Sequence, residues 1–110
     1  MKSIMQDDKS RCYICAKIYG RTTTQRGLEE HHIFGGHGRR ELSEKYGLKV
    51  YLCPEHHQFG EDAVHRNPNQ GYDLLLKQIG QARFQQVHKD LDFVSIFGKN
   101  YLNIGAEEHT

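Results

Sequence analysis

Two short knuckles constrain this chain more than any other feature. Cys12-Tyr13-Ile14-Cys15 is a C-x2-C knuckle, Cys53-Pro54-Glu55-His56 is a C-x2-H knuckle, and 37 residues lie between Cys15 and Cys53. Each knuckle offers two ligands through one tight turn, and together they complete a tetrahedral zinc site. Four protein ligands leave no open position for chemistry. The site therefore reads as a structural zinc staple, tying the N-terminal turn to the end of a strand at 48–52. The cysteine count is three, and the N-terminal MKSIMQDDKSRC has no apolar export core, so a disulfide framework is not expected. The spacing also departs from the ordinary nucleic-acid finger, whose ligand pairs stand about 12 residues apart.

A staple suits a chain of this size. With 110 residues there is room for one domain and a thin core. No stretch approaches the roughly 20 apolar residues of a membrane span, so no membrane partner is expected. The net charge of +1 excludes a strongly basic nucleic-acid binder, but residues 1–50 carry +4 and residues 51–110 carry −3. Arg21, Arg26, Arg39, Arg40, Lys45 and Lys49 fall in the positive half. That asymmetry suits either one basic face against an anionic partner or a solvated mixed-charge surface.

Along the chain, residues 1–10 read as a flexible arm and 11–102 as a single domain. RCYICAKIYG (11–20) is a compact turn closed by Gly20. A strand is predicted over 28–34, ending at Gly35-Gly36, and GGHGRR should be mobile. ELSEKYG (41–47) reads as a short helix or turn, LKVYLC (48–53) as a strand, and Pro54 opens a helix that Gly60 ends or bends. Tyr72, Leu75, Leu76, Ile79, Phe84 and Val87 recur at helical spacing, which predicts an amphipathic helix over 70–90 of about five turns. DFVSIFGKNYL (92–102) should pack back on the core, and 103–110 should be a disordered tail.

Once the knuckles are assigned, His31, His32, His57 and His65 remain. On a strand, His31 and His32 point to opposite faces. One can bind a metal while the other keeps a free ring nitrogen, a division that suits metal ligand and general base. His37 reads as a solvated loop residue or a phosphate contact, not a ligand, and His88 and His109 as surface residues.

With these residues the sequence resembles the HNH nucleases and their ββα-metal, or His-Me finger, fold. Glu30-His31-His32-Ile33 is similar to the first half of the motif. Leu52-Cys53-Pro54-Glu55-His56-His57 is similar to the second half, with His65 after it, and Cys12-x2-Cys15 to the zinc knuckle of many members. The resemblance spans residues 12–65. It implies that His32 is the general base activating water against a phosphodiester. It implies further that His31, His57 and His65 hold a catalytic divalent cation such as Mg2+ or Mn2+. Arg39 and Arg40, beside the proposed site, are candidate DNA-phosphate contacts or an exposed basic turn. The C-terminal helix and FGKNYL look like small phage-encoded members, which implies a cytoplasmic protein of a bacterial host with phage or prophage origin. Two departures are visible. Eight residues separate His57 from His65, about 12 Å on an unbroken helix, so His65 reaches a shared metal only if a loop folds back. The family's middle Asn belongs near Leu48, but residues 16–66 contain no Asn.

The expectation is an α+β fold: a zinc-stapled ββα-metal, HNH-like core (12–65) with a long C-terminal helix. Its leading function is a divalent-metal-dependent endonuclease on double-stranded DNA. The alternatives are a catalytically inactive zinc module binding nucleic acid or another partner, and a zinc-stabilised protein-interaction adaptor. The apolar stripe of the C-terminal helix covers either the sheet or a partner subunit, which leaves a homodimer open.

Overall fold

Pairing of two four-residue strands sets the frame. The computed structural model describes residues 2–21 and 23–104. Strand β1 (Glu29–His32) lies antiparallel to β2 (Lys49–Leu52), with Glu29 opposite Leu52 and His32 opposite Lys49. Helix α1 (Tyr13–Tyr19) precedes β1, and α2 (Arg39–Tyr46) bridges the strands. A single π-helical turn (Glu55–Phe59) follows β2, and α3 (Gly71–Val87) and α4 (Phe93–Phe97) close the chain. The molecule is thus a small α+β domain with a two-stranded sheet. No helix among the described residues is long and apolar enough to cross a membrane.

Most predicted elements are present with shifted ends. Residues 13–19 of the expected turn are a helix, closed by Gly20 in the left-handed conformation. GGHGRR divides: both Arg39 and Arg40 belong to the first turn of α2 and donate their backbone N–H groups to the Gly36 carbonyl. Residues 35–38 remain an exposed turn. The stretch expected as a loose arm lies along β2. Ile4 donates its N–H to the Gly47 carbonyl at 2.9 Å, Ser3 Oγ to the Lys49 carbonyl at 2.5 Å, and Tyr51 its N–H to Gln6 Oε1 at 2.8 Å. A β-edge offers unpaired backbone groups, and this segment satisfies some of them. Of the expected tail, residues 103 and 104 are described, and the Ile104 carbonyl accepts from Gln78 Nε2 at 2.6 Å. Residues 105–110, His109 among them, lie outside the described residues.

Ile33, Phe34, Leu48, Val50 and Leu52 from the sheet region meet Leu76 and Phe84 of α3. Phe93, Phe97 and Tyr101 pack on them, and the Phe34 ring centroid is 4.9 Å from that of Phe97 and 5.3 Å from that of Tyr101. Helix α3 presents a different stripe from the one predicted. Asp73, Leu76, Gly80, Gln81 and Phe84 are buried, whereas Leu75 and Val87 are exposed. The reason is specific polar pairing. Gln81 accepts from the Tyr101 N–H at 2.8 Å and donates to Asn100 Oδ1 at 2.9 Å, so its amide is satisfied inside. A Cβ on Gly80 would lie 3.4 Å from Ile33 Cδ1 and from Phe34 Cε2, so a bare backbone lets α3 approach the end of β1 closely.

Candidate functional site

Three elements converge on the first cluster. Cys12 stands at the entry to α1 and Cys15 in its first turn, Cys53 follows β2, and His56 sits on the π-turn. His56 Nδ1 lies 3.7, 3.4 and 3.3 Å from the sulfurs of Cys12, Cys15 and Cys53, and Cys15 Sγ lies 4.0 Å from Cys53 Sγ. A tetrahedral zinc needs S···N near about 3.5 Å and S···S near about 3.8 Å. The four predicted residues therefore can hold a zinc ion. Their chemistry agrees: burial and the neighbouring sulfurs push the Cys15 thiol up to about 12, and burial raises Cys53 as well. A cation among the sulfurs is what makes thiolates stable there. Gln25, which sequence reading overlooks, braces the site by accepting the Cys12 N–H at 3.0 Å. Tyr19 stacks on His56 with centroids 5.9 Å apart, and Tyr72 meets the same ring edge-on at 5.6 Å.

The second cluster depends on a chain reversal. The Gly60 N–H closes the π-turn on the Glu55 carbonyl at 2.8 Å, and Gly60 then turns extended. The backbone folds back, so that Val64 donates to the His56 carbonyl at 2.8 Å and His65 to the His57 carbonyl at 3.1 Å. This is the loop the eight-residue gap requires. His65 Nε2 lies 2.9 Å from His57 Nε2, and the His31 ring centroid is 5.1 Å from that of His57 and 5.2 Å from that of His65. The three can share one ion, because a nitrogen from each falls within 4.8 Å of the others.

Two observations bear on whether a cation fits. His31 Nε2 is buried and has no hydrogen-bond partner among the described residues, a costly state that a metal bond would relieve. Glu29 Oε1 lies 3.1 Å from His57 Nδ1. With the proton on Nδ1, Nε2 keeps its lone pair for a metal, a common carboxylate–histidine–metal arrangement. Burial first, and the neighbouring imidazoles second, hold His31 down at about 3, and burial lowers His65 too. Both resist protonation, as ligands must.

Strand alternation turns His32 to the opposite face from His31. His32 Nε2 lies 3.0 Å from Glu44 Oε1 on α2 and 3.7 Å from Glu30 Oε1. Lys49 Nζ joins both carboxylates, at 2.8 Å from Glu44 and 3.6 Å from Glu30. Hydrogen bonds from Lys49, and then from His32, pull the Glu44 carboxyl down to about 2, so it stays ionised. His31, His32 and His65 nonetheless line one cavity of about 290 Å³ with Gly35, Gly36, Asp73 and Lys77. His57 stands behind His65 and does not line it.

No protein-family model, curated protein or solved structure matches this chain.

The remaining candidates separate. Arg40 borders a second depression of about 430 Å³ on the Glu44 side of His32, and the Arg39 guanidinium lies near Gly98. Both arginines are exposed, as is His37. His88 is half-buried against the rings of Tyr46 and Phe84, not free on the surface. At the place where the middle Asn is missing, Ser43 supplies a brace. Its hydroxyl accepts from the Phe34 N–H at 3.0 Å and donates to the Phe34 carbonyl at 2.8 Å, tying α2 to the end of β1. Leu48 donates its N–H to the Ser43 carbonyl at 2.8 Å and accepts the Ile33 N–H at 3.0 Å. Glu29 and Glu44 had a legible signal: Glu29 shares the face of His31 by period two, and Glu44 lies on a helix that must return to β2.

Proposed function

We propose that this chain is a divalent-metal-dependent endonuclease of HNH type that hydrolyses phosphodiester bonds in double-stranded DNA. On this reading the two strands and the π-turn are a ββα-metal core, and the Cys12–Cys15–Cys53–His56 cluster holds a structural zinc. The observation that carries the reading is the sorting of imidazoles along β1. His31 joins His57 and His65 on one face, His32 meets a carboxylate on the other, and residues 31, 32 and 65 line one cavity.

His31, His57 and His65 would hold the catalytic cation. When bound, that cation supplies positive charge against the phosphate oxygens and the leaving 3′ oxygen. On this reading His32 Nε2–H donates to Glu44 Oε1, which leaves Nδ1 as the basic nitrogen. His32 takes a proton from water as the water oxygen bonds to phosphorus and the P–O3′ bond breaks. Glu44 acts through His32 as a positioning residue, and Lys49 keeps Glu44 ionised. Arg40 borders the depression on the Glu44 side of His32, and it, with Arg39 beside it on α2, would meet flanking phosphates.

Supercoiled-plasmid nicking by purified protein tests the proposal, with Mg2+ or Mn2+ and with neither. Wild type should nick only with the ion, and His32→Ala should lose about 10²–10⁴-fold in rate. Equal inactivity of both proteins across several divalent ions would replace this reading with the inactive zinc-stabilised binding module.

A further inference from the structure

The cavity bordered by His31, His32 and His65 has one cationic wall that the proposed chemistry leaves unused. Lys77, on α3, lines it, and its side chain is only 13% exposed. Lysines are rarely so buried unless paired. Here the ammonium is fixed by three neighbours. Nζ lies 2.9 Å from Asp73 Oδ2, donates to Asn69 Oδ1 at 2.8 Å, and stands 5.8 Å from the Tyr101 ring centroid. Asp73 is held in turn by the Asn69 N–H at 2.6 Å. An ammonium has three donors, and the structure spends two of them on protein acceptors.

We infer that Lys77 is a substrate-positioning residue. Its third N–H donates to a non-bridging oxygen of the phosphodiester lodged in the cavity, and Asp73 and Asn69 hold it ready to do so. A fixed ammonium loses little side-chain freedom when a phosphate arrives, whereas a solvated lysine must be ordered at that moment. The inference rests on the proposed function, because it takes that cavity as the seat of the phosphate. It extends that reading to α3, outside the stretch that resembles the nuclease motif.

The test uses the full chain carrying His32→Ala, so that DNA is bound and not cut. Affinity for a fluorescein-labelled duplex of 20 base pairs is read by anisotropy in Mn2+ at several salt concentrations. Lys77→Gln should weaken binding about tenfold and reduce the salt slope by about one. Lys77→Arg should restore affinity to within about twofold, and Lys89→Gln, an exposed control, should change neither quantity. Removing Lys77 alone strands the Asp73 carboxylate, so the double variant Asp73→Asn/Lys77→Gln is measured beside it. This pair replaces the ion pair with neutral amides and should show the same loss. Unchanged affinity and slope in a folded double variant, with wild type still nicking plasmid, would overturn the role of Lys77 and leave the nuclease reading standing. Absence of both nicking and duplex binding in wild type would overturn the two together.

Discussion

Burying one imidazole beside two others gives the molecule a titration signature. Burial holds His31 near about 3 in the fold, whereas an unfolded imidazole titrates near about 6.5. Between those values the unfolded chain binds a proton that the fold refuses. Stability associated with His31 is therefore complete above about pH 6.5 and is lost as pH falls toward about 3. In protein that keeps zinc but lacks an ion at the second cluster, lowering the pH from 7 to 5 should lower Tm more in wild type than in His31→Gln. Equal slopes in the two proteins would remove this account of His31. Ser43 supplies a second residue-scale test. Its fully buried hydroxyl satisfies both backbone groups of Phe34. Ser43→Ala should cost about 1–3 kcal/mol, seen as a lower denaturation midpoint with an unchanged m-value. The cysteines and histidines were legible in sequence because metal chemistry restricts ligand types so narrowly. Gln25 and Ser43 were not, because a hydrogen-bonding brace can be built from many residue types at many spacings.

Elements place those residues, and the two short strands show how. Glu29 and His31 face one side, Glu30 and His32 the other, and the antiparallel register sets Lys49 opposite His32 and Tyr51 opposite Glu30. Tyr51 Oη donates to Glu30 Oε2 at 3.1 Å, so the acidic face is braced from across the sheet. Alternation of this kind is readable from a strand of four residues once its existence is granted. The π-turn was not readable. Pro54 and Gly60 mark its ends, but only the i to i−5 bond and the return of Val64 and His65 convert an eight-residue gap into a shared cluster. The long helix was legible in place and length. Its buried face was misjudged because Asp73 and Gln81 are carried inside by their partners while Leu75 and Val87 stay out. Gly47 joins α2 to β2 with φ at +74°, and a Cβ there would stand 2.4 Å from the Lys2 carbonyl oxygen. Gly47→Ala should therefore destabilise by more than about 1 kcal/mol, from left-handed strain and displacement of residues 2–4. A midpoint within experimental error of wild type would refute that role for the turn.

At the scale of the whole molecule, one short sheet and one turn serve two clusters. Adjacent residues of the π-turn divide between them: His56 faces three sulfurs and His57 faces two imidazoles. The three cysteines of the first cluster are buried and His56 is half-buried, while His65 is exposed at the other, so on the proposed reading the first would stay filled and the second would exchange its ion. The core alone joins the sheet to α3 and α4 through aromatic packing, and the zinc would tie α1 to the end of β2. Native mass spectrometry during a Mn2+ titration tests this division most directly. The account predicts one zinc per chain that survives brief chelation, plus a second ion that binds reversibly and is lost in His57→Ala while the zinc stays. Saturation at a single ion, or a second ion bound as tightly by His57→Ala as by wild type, would contradict it.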